Sequence, residues 1–292
     1  VDDSGRISRR ALVIGGAALI GATAVGVELA PDSIRRKLGL ESSPDHHVPR
    51  LGARVRSSSF ESAAMRGPVR YAVAVPADPR GVVVCLHCKG AGFRFAFDAL
   101  HVHDVVAAEG VPLAVVGVSG GPDSYWHKRA SGIDPHSMVI DELLPMLKRD
   151  LGPLPLAVMG WSMGGYGALL FAERHPDLFA AAVAVSPALF RSPGATSPGA
   201  FDDAADYRRN DVLAGVSALE PLTVRVDCGL GDPFLPAVRA FAARLPHPNP
   251  GAFGHGYHDA PYWRSLAPAQ VRTIAGAMDL QPNADAKRAP AG

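Results

Sequence analysis

Cysteine is scarce in this chain. Cys85, Cys88 and Cys228 are the only three in 292 residues, and an odd set of three cannot build a complete disulfide framework. The pair in "CLHC" has neither a second cysteine pair nor a following histidine, which argues against a structural zinc site or a haem attachment. A charge excess is missing too. Lys and Arg total 29 against 28 Asp and Glu, a formal net charge of +1, and no basic run is interleaved with aromatics, so nucleic acid is not an expected partner. The uncharged stretch Ala11 to Val27 is short beside the roughly 20 apolar residues of a membrane span, and it is rich in Gly and Ala. Metal-ligand spacing is also absent. His46 and His47 have no flanking carboxylate or cysteine cluster, and His101 and His103, two apart on an expected helix, point to different sides. No metal and no cofactor is expected.

What is present begins with Arg9 and Arg10 placed directly before that apolar stretch, in "SRRALVIGG". Residues 1–30 read as an export signal of twin-arginine type, with an ordinary Sec signal or a hydrophobic tether as the alternative. Ala22-Thr23-Ala24 suits a cleavage site but lies early, so removal and retention as an anchor both stay open. The mature domain is expected outside the cytoplasm, in the cell envelope or beyond it. Membrane or cell-wall association would run through this N-terminal segment.

Residues 31–67, polar and bearing Pro and Ser, read as a linker into a domain over 68–280, followed by a flexible tail at 281–292. Within the domain the β-branched runs "VRYAVAV", "GVVVCLH", "VPLAVVGV", "LPLAVMGW", "AAAVAVS" and "LTVRVDCG" alternate with helical patterns at 97–109, 135–149, 164–175, 236–245 and 262–278. That alternation predicts an α/β fold with a mostly parallel central sheet, and the near-continuous apolar character of the runs predicts helices on both faces. Segment 189–218 breaks the rhythm with Pro, Gly and charge and reads as a cap segment over a site.

The stretch "LPLAVMGWSMGGYGALLFAERH" joins a buried strand to a helix through Gly160-Trp161-Ser162-Met163-Gly164, a G-x-S-x-G turn. Such a turn exposes the serine hydroxyl at the carboxyl edge of the sheet and sets it at a helix N-terminus, where negative charge is favoured. A serine hydroxyl needs a base, and the base needs an acid to hold its tautomer. In the order Ser, acid, His, the acid candidate is Asp232 in "LGDPF" beyond a strand, with Asp227 inside the strand as rival. The base candidate is His258 in "GAFGHGYHDAPYW", with His255 as rival. The Met163 N–H is the first expected oxyanion donor, and the second is the N–H of Cys88 or Lys89 in "LHCKGAG". Tyr125, Trp126 and His127, on a loop bordering the same edge, are candidates to line a substrate pocket or, equally, to pack beneath the loop.

With "GWSMGGYGAL", "NDV", "VDCGLGDPF" and "GYHDAPYWR" in place from about Tyr71 to Ala277, the chain resembles the α/β-hydrolase fold, in the esterase branch that includes esterase D and the antigen 85 group. The resemblance implies a serine hydrolase or acyltransferase with Ser162, Asp232 and His258 as triad, and it favours His258 over His255. Asp232 stands where antigen 85 proteins carry Glu, and "HCKG" replaces a glycine-richer oxyanion segment. The first departure points to ester hydrolysis on a small-molecule or lipid ester through an acyl-enzyme. Acyl transfer to an envelope sugar or lipid alcohol is the alternative, and a non-catalytic glycan- or matrix-binding module is a third reading.

Overall fold

All six β-branched runs form strands, and two further strands flank them. In chain order these are β1 (Val55–Ser62), β2 (Gly67–Ala74), β3 (Gly81–Leu86), β4 (Leu113–Val118), β5 (Leu156–Trp161), β6 (Ala181–Val185), β7 (Thr223–Gly229) and β8 (Phe253–Gly254). The computed structural model describes residues 42–51 and 54–282, so the expected export segment 1–30 and the tail from 283 onward lie outside the described residues. By internal contacts the chain divides into Val1–Ser43 and Pro44–Gly292, and the fold is that of the second unit.

The strands lie in the order β1-β2-β4-β3-β5-β6-β7-β8. β1 with β2 and β2 with β4 are antiparallel, and every later neighbour pair is parallel. Helices α1 (Phe95–Asp98), α2 (Val102–Ala108), α3 (Leu144–Leu151), α4 (Met163–Arg174), α5 (Ala204–Arg209), α6 (Leu235–Ala242) and α7 (Ala260–Ala277) connect or cover them. Because side chains alternate across a strand, each run feeds two cores. Val82, Val84, Leu86 and Val158 pack with Leu144, Leu147, Tyr166 and Leu169 of α3 and α4. Val83, Cys85, Met159 and Trp161 pack with Val102 and Val105 of α2 and Val271 and Ile274 of α7. Full burial of each such side chain is worth about 1.5–3 kcal/mol, so both helical layers are held by the same strands.

Three expectations change. The linker expected over 31–67 is strand from Val55 to Ser62, paired with β2 from Val55 opposite Ala74 to Ser62 opposite Gly67. β1 is the sheet edge, so Arg56, Ser57, Ser58 and Ser59 stay exposed and the run reads as polar. The helix expected at 97–109 is two helices, broken at His101, whose φ of 52° is left-handed. The helix expected at 135–149 begins at Pro135–Ser137 and passes through a π-helical stretch, Met138–Leu143, before α3. Pro145 has no N–H to give to Asp141, and the Leu144 N–H bonds Val139 five residues back, which explains the widened turn. The segment 189–218 contains α5 and is anchored by Phe201 and Tyr207, whose rings pack on each other and, through Phe201, on Tyr125 and Tyr166.

At the far end of α4, burial and the neighbouring Asp211 push the Glu173 carboxyl from 4.5 up to about 9 against the pull of Arg174 and Arg244. The folded protein then holds a proton that the unfolded chain releases, so this group makes stability fall as pH rises from 4.5 towards about 9. Glu173→Gln is expected to flatten that slope and raise Tm at alkaline pH. Thermal unfolding of both proteins across this range checks it, and parallel curves would refute it.

Candidate active site

The turn after β5 closes on itself because two glycines let backbone meet backbone. A Cβ on Gly160 would strike the Gly164 carbonyl, and one on Gly164 would strike the carbonyls of Leu86 and His87 at the end of β3. The N-terminus of α4 can therefore press against the strand beside it. Between them Ser162 takes φ 56° and ψ −116°, a strained backbone for a residue with a side chain. Its N–H donates to the Val185 carbonyl at 2.9 Å, and its own carbonyl accepts from Ala188 and Tyr166, each at 3.0 Å. These bonds offset the strain. Gly164→Ala is expected to cost about 1–3 kcal/mol, because the clash is with main chain that cannot rotate away. A urea midpoint within error of the parent's would contradict this packing.

Ser162, His258 and Asp232 are brought together. The Ser162 Oγ lies 2.8 Å from His258 Nε2, and His258 Nδ1 lies 2.8 Å from Asp232 Oδ2. Because a carboxylate only accepts, Nδ1 carries the proton and Nε2 is left as acceptor for the serine hydroxyl. The second carboxylate oxygen, Oδ1, accepts from the Phe234 N–H at 2.9 Å, which fixes Asp232 in the turn leading into α6. Asp232 is buried, whereas the His258 side chain is 22% exposed, open to a small substrate. Asp259 caps α7 by accepting from the Tyr262 N–H at 3.2 Å, so the base sits directly before a fixed helix start.

The two rivals lie elsewhere. Asp227 points to the α7 side of the sheet, where it pairs with Arg225 through two bonds of 2.9 Å and accepts from Gln270 and from the Ala252 N–H. Within β7 its side alternates with Val226 and Cys228, so it faces away from the serine's helix. His255 is exposed, its ring 6.0 Å from that of Tyr257.

Cys88 and Lys89 follow β3 on the flank that Gly164 touches. Residue His87, which sequence reasoning passed over, organises this loop. Its Nε2 accepts from the Gly120 N–H at 3.1 Å, so its Nδ1 bears the proton and donates to the Cys88 carbonyl at 2.9 Å. Burial lowers the His87 pKa, which keeps the ring neutral and this pattern intact. The Trp126 Nε1 donates to the His87 carbonyl at 3.3 Å. In planar trans peptides, holding these two carbonyls aims the N–H groups of Cys88 and Lys89 the opposite way. Met163, as first residue of α4, has no intrahelical acceptor for its own N–H. The Lys89 Nζ donates to the Pro198 carbonyl at 3.0 Å, tying the loop to segment 189–218. Burial raises the Cys88 thiol to about 11, so it is protonated at neutral pH and not a reactive thiolate.

Tyr125, Trp126 and His127, expected along the pocket, are instead buried at 2%, 0% and 0% exposure. Left-handed φ values of 51° at Tyr125 and 58° at Trp126 turn the loop inward. Tyr125 then packs on Tyr166 and Phe190, Trp126 on Phe171, and the His127 ring nitrogens lie against the Lys128 and Ala200 carbonyls. The rings that do flank the triad are Phe234, 5.3 Å from His258, and Trp263, 5.1 Å from it. Nothing in their spacing along the chain marks Phe234 and Trp263 as neighbours. Among the described residues no group of three or more His, Cys, Asp or Glu could hold a metal, and no helix is long and apolar enough to cross a membrane.

A mostly parallel sheet with helices on both faces, and a left-handed serine between its central strand and the following helix, define the α/β-hydrolase fold. The chain belongs to the esterase family described as "Putative esterase", whose model matches residues 62–273, and it is a carboxylic ester hydrolase of the serine hydrolase type. Solved structures similar to it include a ferulic acid esterase at 22% identity and TM-score 0.65, covering 76% of this chain and 97% of the other. An S-formylglutathione hydrolase from Agrobacterium tumefaciens aligns at 17% identity and TM-score 0.67, over 77% and 95% of the two chains. MPT51 (FbpC1) of Mycobacterium tuberculosis aligns at 20% identity and TM-score 0.65, over 77% and 99%. No curated protein matches in sequence.

Proposed function

We propose that this protein is an exported serine esterase that cleaves small-molecule carboxylic esters through an acyl-enzyme on Ser162. The observation that carries the proposal is the unbroken line of 2.8 Å contacts from Ser162 Oγ through His258 to Asp232. His258 Nε2 takes the hydroxyl proton as Oγ attacks the ester carbonyl, and Asp232 stabilises the imidazolium that forms. The Met163 N–H, with that of Cys88 or Lys89, holds the developing oxyanion, each such donor being worth about 3–4 kcal/mol in the transition state. His258 then protonates the departing alcohol, and water repeats the sequence on the acyl-enzyme.

Rapid mixing with p-nitrophenyl esters of increasing chain length tests this. A burst of p-nitrophenol equivalent to the enzyme, followed by release of free acid, is the expected result. Hydrolysis without covalent acylation would reject the acyl-enzyme, and an acylated polyol in place of free acid would assign the protein to transfer. Export rests on Arg9 and Arg10 before the apolar stretch. Mass spectrometry of protein recovered from outside the cytoplasm tests it, and retention of all the protein in the cytoplasm would overturn it.

A further inference from the structure

Ser162 has a counterpart one strand over. β5 and β6 run parallel with Trp161 opposite Val185, so Ser162 and Ser186 share the next level, one residue beyond two adjacent strands. Both have left-handed backbones, φ 56° and 46°, and both are buried. Strain of this kind in a non-glycine residue persists only where surrounding structure enforces it. The Ser186 N–H donates to the Asp227 carbonyl at 2.7 Å, and its Oγ accepts from the Trp263 indole N–H at 3.0 Å.

Trp263 is 5% exposed, so it presents no open face to a substrate. Its ring stands at 85° to the His258 imidazole with centroids 5.1 Å apart, while Phe234 flanks the same imidazole at 5.3 Å. Hydrogen bonds at Nδ1 and Nε2 fix the ends of the imidazole but leave it free to rock about the line joining them. Rings against its flanks remove that freedom. A rocking base loses alignment with the serine lone pair, and misplacement by an ångström can cost on the order of 100-fold in rate.

We infer that Trp263, anchored through its indole N–H on Ser186, is the positioning residue that holds the His258 imidazole in line between Ser162 and Asp232. The inference rests on the proposed role of that triad. The left-handed turn at Ser186 sets the hydroxyl that anchors the indole.

Trp263→Phe keeps an aromatic ring and deletes the N–H. Ser186→Gly deletes the acceptor while relieving the backbone, so a loss there cannot come from added strain. With a p-nitrophenyl ester each single variant is expected to lower kcat about tenfold with KM within about twofold. The double variant should be no slower than the slower single, because both changes cut one link. The proton NMR resonance of the His258 Nδ1–H, sharp in the parent, is expected to broaden in all three. Unchanged kcat with a lowered Tm would make Trp263 a packing residue only, and losses that multiply in the double variant, or a resonance that stays sharp, would equally overturn the inference. If the parent enzyme neither hydrolyses esters nor labels with a fluorophosphonate, the triad assignment fails, and the NMR comparison still reports whether the indole orders the ring.

Discussion

Ser162→Ala is expected to lower kcat on p-nitrophenyl esters by a factor on the order of 10⁶ and to abolish labelling by a fluorophosphonate. The size follows from the chemistry: without Oγ no acyl-enzyme forms, and the remaining donors and His258 can assist only direct attack by water. Residual catalysis over the uncatalysed reaction is then what the oxyanion donors and substrate binding supply, about 10³–10⁴-fold. Stability should change little, since the left-handed backbone persists while a partly buried hydroxyl is removed. Labelling of the Ser162→Ala variant at the parent's rate would show that another residue is the nucleophile.

Asp232→Asn should cost about 10⁴-fold in kcat with KM nearly unchanged. The carboxylate accepts from both the His258 Nδ1–H and the Phe234 N–H. An amide at this position can meet the Phe234 N–H with its oxygen and then must present its NH₂ to His258. The imidazole is driven to the opposite tautomer, with Nε2 protonated and unable to take the serine proton. The packing by Phe234 and Trp263 would still hold the ring, so the defect should appear in chemistry rather than in folding. Fluorophosphonate labelling should slow in proportion and still reach completion. A loss smaller than tenfold would mean that the acid at this site does not set the tautomer, and Asp227 cannot substitute because Arg225, Gln270 and the Ala252 N–H already occupy it.

Local pattern made some of this legible and left some of it hidden. The elbow could be read because strand, turn and helix are contiguous there, and two glycines with a serine between them are a short-range steric requirement. Asp232 and His258 could be named because each follows the end of a recognisable element. β1 could not be found by hydrophobic alternation, since an edge strand exposes Arg56 through Ser59 to solvent. β8 consists of only Phe253 and Gly254, too short for any pattern. The outward placement of His255 and inward turn of Tyr125 and Trp126 depend on backbone angles that spacing does not encode. His87 carried no sequence signal at all, because its role comes from Gly120 and Trp126, which meet it only in the folded chain.

The sequence by itself determined the layered α/β plan, the strained serine and the order of nucleophile, acid and base, because these follow from residue periodicity, glycine at tight approaches and the chain-order of one fold. Only the tertiary structure decided which aspartate and which histidine meet Ser162, how the loop after β3 is aimed, and that Ser186 and Trp263 stand beside the base. The physical reason is the reach of the forces involved. Periodicity and backbone sterics act between near neighbours along the chain, whereas a hydrogen bond of 2.8 Å between residues 96 positions apart exists only after two separate cores have packed and fixed the strand ends side by side.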